Sequence, residues 1–68
     1  MSLLERHNQI VDTVLRVGRI TIPEICEQFD VSEMTARRDL NELDRLGLVR
    51  RVHGGAIASL GRSYEPPF

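Results

Sequence analysis

A chain of 68 residues with a formal net charge of −1 makes one small domain, because at this size only about 60% of the unfolded surface is buried and two cores cannot be supported. Aromatic residues are 4% of the sequence, so the core must be built from Leu, Ile and Val, and a deeply buried active site has no room. The single cysteine excludes an internal disulfide and suits a reducing, cytoplasmic setting, and the sequence shows neither the ~20 apolar residues a membrane span needs nor the basic-then-apolar order of a secretion signal.

The chain opens with Ser2 and Glu5 at capping-box spacing. Leu3, Leu4, His7, Ile10, Val11, Val14 and Leu15 then repeat at intervals of three and four, which predicts a helix with one apolar face through about Val17, ended by Gly18. His7 lies in that stripe and reads as a packed or half-exposed side chain. Arg19 to Thr21 gives a short extended step. A second helix follows, with Thr21 and Glu24 as another capping box, Pro23 in its first turn, and Ile22, Ile25, Cys26 and Phe29 on its inner face. Cys26 on that stripe reads as a small core residue.

"FDVS" is the length of the turn in a helix-turn-helix. Asp30 takes its tight position, where aspartate tolerates a left-handed backbone, and Val31 is placed to plug the angle between the helices. The stretch Val31 to Arg51 organises everything else. Ser32 caps a third helix and Gly47 closes it, with Leu48 folding back on the last turn. At ~100° per residue Ala36, Leu40 and Leu43 share the core-facing side, while Arg38, Asn41 and Arg45 point away, with Met34 beside them and Thr35 and Arg37 on the flanks. Paired arginines on the solvent side of a capped helix are the donors a recognition helix needs for phosphates and base edges. Asp39 and Glu42 fit better as groups that orient arginines, since carboxylates repel phosphate.

"LVRRVHGGAIAS" reads as a hairpin with Gly54 and Gly55 as its two-residue loop, which sets Val52 opposite Ile57. Leu48 and Val49 cannot both face the core of a regular strand, so the ladder is expected to start after Val49 or to contain a bulge. Arg50, Arg51 and His53 then ride on a ribbon beside the third helix, with Gly54 at the tip. Such a ribbon is a wing, and its arginines can reach the backbone flanking the site the helix reads. The predicted fold is mainly α with a small β-hairpin: a winged helix-turn-helix of three helices, a short strand and a wing. Its domain should span 1–58, followed at 59–68 by a linker, since glycine, serine and a Pro-Pro pair resist both helix and sheet.

An estimated pI of 6.1 sits awkwardly with nucleic-acid binding, where a domain value above ~9 is usual. Distribution answers the objection. Residues 1–36 hold three arginines against six carboxylates, whereas 37–68 hold six against four. Binding follows the local field and not the sum. Among chemical alternatives, two isolated histidines and one cysteine lack metal-ligand spacing, and there is no nucleophile with a base, no phosphate loop and no carboxylate pair, so an enzyme is not expected. The remaining alternative is a winged helix that docks an acidic protein through its exposed arginines.

The pattern "VSEMTARRDLNEL…GLVRRVHGGA" resembles the N-terminal domain of the DeoR family of bacterial transcriptional repressors. The matching residues are Ser32, Thr35, Arg37 to Leu40, and Arg51 to Ala56. The resemblance covers nearly everything from Leu4 to Phe68, and two separated motifs agree in sequence and spacing. Ala36 departs from the bulkier aliphatic residue usual there, and Asp30 from glycine or asparagine. Together with the helix and wing reading above, the resemblance implies a sequence-specific contact with a double-stranded operator through Ser32, Met34, Thr35, Arg37, Arg38, Asn41, Arg50, Arg51, His53 and Gly54, with no cofactor in this chain. It further implies a C-terminal domain, reached through a linker like "RSYEPPF", that senses a phosphorylated sugar or related metabolite and drives self-association.

Overall fold

The computed structural model describes residues 2–59. The expected linker from about Ser59 therefore lies, apart from Ser59 itself, outside the described residues. Three helices, α1 (Leu3–Val17), α2 (Ile22–Phe29) and α3 (Glu33–Arg45), and three short strands, β1 (Arg19–Thr21), β2 (Val49–Val52) and β3 (Gly55–Ala58), follow in the order α1-β1-α2-α3-β2-β3. The strands form one antiparallel sheet in the order β1-β3-β2. This is the winged helix-turn-helix the sequence predicts.

The helix ends are built by their side chains. Ser2 and Glu5 bond reciprocally, as do Thr21 and Glu24, so each capping box satisfies two backbone donors that have no partner within the helix. Asp30 closes α2 in the left-handed region, at φ 55°. Helix α3 stops at Arg45, two residues before the glycine that reverses the chain. Gly47, at φ 80°, donates to the Asp44 carbonyl, and Leu48 N–H donates to the Leu43 carbonyl. Those paired bonds complete a Schellman motif, which gives the last carbonyls of the helix their donors.

The core is aliphatic. Ile10 and Val14 of α1, Ile25 of α2, Leu40 of α3 and Val49 of β2 are wholly buried, and Val11, Cys26, Phe29, Val31 and Ala58 pack against them. The α1 stripe is narrower than its periodicity suggests: Leu3, Leu4 and Leu15 remain more than half exposed, because only the Ile10–Val14 side meets the rest of the fold.

The hairpin corrects the sequence reading. Its two-residue loop is His53–Gly54, so Val52 faces Gly55 and Ile57 faces Arg50. The ladder begins at Val49, without a bulge, and Leu48 is left partly exposed outside it. The reason lies in β1. Gly54 at φ 80° makes the turn and offers its carbonyl to Ile22 N–H, while a Cβ on Gly55 would sit 2.2 Å from the Ile20 carbonyl oxygen. One glycine bends the chain and the next lets a third strand approach. The left-handed φ occurs only at the second loop position, so this is not the primed turn that Gly-Gly suggests.

Candidate DNA interface

On α3 the three inner positions Ala36, Leu40 and Leu43 are at most 1% exposed, which fixes the opposite face toward solvent. Met34, Arg37, Arg38, Asn41 and Arg45 lie on that outer face, and Thr35 is half-buried at its edge. Arg37 stands 3.9 Å from Glu33, one turn earlier, in a loose and exposed pair. Arg38 makes no hydrogen bond or ion pair among the described residues, so its five N–H donors are available. Arg45 instead pairs with Glu42, which raises the arginine's pKa and lowers the carboxyl's through their hydrogen bonds.

At the start of α3, Ser32 accepts from Thr35 N–H at 3.2 Å and donates its own hydroxyl proton to Thr35 Oγ1 at 3.1 Å. That leaves the Thr35 hydroxyl proton free to donate outward, beside the positive end of the helix.

Alternation along β2 divides its arginines. Val49 faces the core, so Arg51 two residues later shares that side and turns toward α3, whereas Arg50 points to the outer face of the sheet. There Arg50 shares a cross-strand row with Ile57 and Arg19. Arg51 bonds Asn41, and His53 and Gly54 are exposed at the tip of the wing. The structure thus brings Arg51 and Asn41 together and sets Arg50 on a different surface. Arg50, Arg51 and His53 all lie on the hairpin, but the register turns only Arg51 toward α3.

Asp39 is held from α1. It orients an arginine, and that arginine is Arg6 of α1. Arg6 donates through Nη2 at 3.0 Å and through Nε to the other carboxylate oxygen, and His7 Nε2–H donates to Asp39 Oδ1 at 3.0 Å. Asp39 is 3% exposed. Burial alone would raise its pKa. Hydrogen bonds from Arg6 and then His7, with their charges, outweigh burial and hold it below the ordinary 3.8. The Asp39 bond in turn raises the pKa of Arg6. Sequence reading missed this cluster, although a carboxylate between the inward residues Ala36, Leu40 and Leu43 signals that something must pair with it.

The DeoR-like helix-turn-helix domain matches residues 6–59. The chain belongs to this family. It is 46% identical over 56 residues to the glycerol-3-phosphate regulon repressor of Escherichia coli (strain K12), a match covering 82% of this chain and 22% of that protein. It is 48% identical over 56 residues to the lactose phosphotransferase system repressor of Lactococcus lactis subsp. lactis, with the same 82% and 22% coverage. A lactose phosphotransferase system repressor of Staphylococcus epidermidis is 37% identical over 65 residues, covering 96% of this chain and 26% of the relative. The chain thus spans about a quarter or less of the length of these relatives. No solved structure matches it. The DeoR-like helix-turn-helix is a DNA-binding domain of transcriptional regulators, so the exposed face of α3 and the wing beside it form the candidate DNA interface. Among the described residues no helix is long and apolar enough to cross a membrane, and no group of His, Cys, Asp or Glu has the makings of a metal site.

Proposed function

We propose that this domain binds a double-stranded DNA operator as the DNA-binding part of a bacterial repressor of genes for a sugar or related metabolite. Helix α3 enters the major groove with Arg38 and Arg37 on guanine edges or phosphates, and Met34 and Thr35 contribute apolar contact and a hydroxyl. Ser32, by capping the helix, points its positive terminus at a phosphate. The wing, with His53 and Gly54 at its tip, lies along the flanking backbone. The observation that carries this reading is Arg38, exposed and unpaired among the described residues on a helix whose other face is locked into the core. The names of the relatives support a metabolic operon as target, and those relatives continue well beyond the length matched here. The remainder of such a protein is the proposed seat of a phosphorylated-sugar effector site and of self-association, because one domain binds weakly and two on repeated half-sites bind cooperatively.

Selection from random duplexes tests the proposal, followed by titration of the selected site at several salt concentrations. A specific site, with affinity falling steeply as salt rises, is expected. A domain that shifts no duplex at low salt, and binds an acidic protein instead, would defeat it.

A further inference from the structure

Two residues on the proposed DNA-facing side are already bonded to each other. Arg51 donates Nε–H to Asn41 Oδ1 at 2.9 Å, and its Nη1 donates to the Val52 carbonyl at 3.1 Å and the Gly55 carbonyl at 2.8 Å. We propose that Asn41 and Arg51 act as one positioning pair that fixes the wing against α3, and that neither reads DNA independently. The consequence for affinity rests on the DNA-binding reading above. The pair itself rests on geometry.

Three points of the fold meet at this guanidinium. Asn41 belongs to the middle of α3, while Val52 and Gly55 are the last residue of β2 and the first of β3, directly opposite one another across the two-residue loop. Arg51 can reach all three because the register places it opposite Ala56, on the inner side of the sheet and past the edge of the core. A planar fork is what spans them. Lysine would bring the same charge as a single nitrogen, without the fixed directions. Two strands of four residues make a weak hairpin on their own, so a side chain tied to both strands and to a helix sets the angle of the wing before any partner arrives.

The hydrogen-bond inventory fits positioning better than reading. Asparagine recognises adenine with Oδ1 as acceptor and Nδ2 as donor in one plane. Here Oδ1 is engaged with Arg51, which turns the amide toward the wing. On Arg51, three of the five N–H groups are used internally. The two on Nη2 have no partner among the described residues and face outward only as the other three bonds permit.

The test has two arms. In the free domain, Asn41→Ala is expected to lower the 15N heteronuclear NOE of the His53 and Gly54 amides to the level seen in Arg51→Ala, although residue 41 lies ten or more positions away in sequence. Unchanged wing amides would overturn the pair whether or not DNA is bound. On a selected duplex, Asn41→Ala should weaken binding about 10-fold and Arg51→Ala about 30-fold, with the double variant still near 30-fold and not the ~300-fold of independent contacts. Arg51→Lys should bind within about 3-fold of Arg51→Ala, since charge without the fork does not rebuild the brace. Additive losses, or a lysine that restores wild-type binding, would also overturn the inference. A wild-type domain that shifts no duplex would defeat the DNA-binding reading alone, and the amide measurement would still decide the pair.

Discussion

Helix α3 carries charge on both faces and uses it in opposite ways. On the inner face Asp39, 3% exposed, is enclosed by Arg6 and His7 of α1, so its charge is matched within the fold. On the outer face Arg38 has no partner among the described residues and Arg37 only a loose one. An enclosed charge is costly unless every lone pair is met, and meeting them fixes how two helices sit. An outward charge left unmatched is available to a phosphate or a base. In a domain whose net charge is −1, this separation supplies a cationic surface without an excess of basic residues.

The largest effect expected from this contrast is on stability. Asp39→Asn leaves Arg6 and His7 facing a neutral group in a partly buried site, and unmatching one member of such a cluster costs about 2–4 kcal/mol. The urea midpoint should fall accordingly, while DNA affinity measured on fully folded protein at low temperature should change little. A variant with a wild-type midpoint would show that the cluster does not hold α1 to α3.

Arg38→Ala is the opposite case. Its unfolding free energy in urea should change by no more than about 0.5 kcal/mol, as is usual for an exposed position without a partner. Binding should weaken by about 1–3 kcal/mol, with discrimination lost at one base pair. Equal losses on the selected site and on random duplex would give Arg38 a phosphate role instead of a reading one.

A smaller effect separates the two faces in acid. Because the folded pKa of Asp39 lies below its ordinary 3.8, ionisation favours the fold. That stabilisation is whole well above pH 3.8 and is lost as pH falls through the lower folded value. The stability gap between wild type and Asp39→Asn should therefore be constant near neutrality and close in acid. A gap that persists unchanged at pH 2 would assign it to packing.

Much of α3 was legible because its signals are local. Ser32, the Ala36–Leu40–Leu43 stripe and Gly47 lie within one helix and its ends, and each behaves as spacing predicts. The winged arrangement was legible for the same reason, as was the left-handed Asp30. What failed depended on partners far away in sequence. Local sequence favours Gly54–Gly55 as the loop, because nothing near those residues reveals that β1 must approach Gly55 within van der Waals distance. Which of the two wing arginines turns toward α3 depends on the register of the ladder. With Val49 recognised as the inward residue, alternation alone puts Arg51 on the α3 side. The partners of Asp39 stand 32 and 33 positions earlier, beyond any helical spacing.

The smallest effect belongs to Ser32, which sits where the two faces meet. Its hydroxyl both accepts the Thr35 N–H and holds the Thr35 hydroxyl, so one atom serves the fold and the proposed contact. Ser32→Ala should cost about 1 kcal/mol of stability through the lost cap, and Ser32→Gly only a few tenths, because glycine leaves the helix end open to water. If the terminus also faces a phosphate, Ser32→Ala should lose affinity even where both proteins are fully folded, since Thr35 is no longer held with its proton outward. Ser32→Thr keeps the hydroxyl and should restore both properties. An alanine variant that unfolds about 1 kcal/mol early yet binds as wild type would confine this serine to the structural side of the helix.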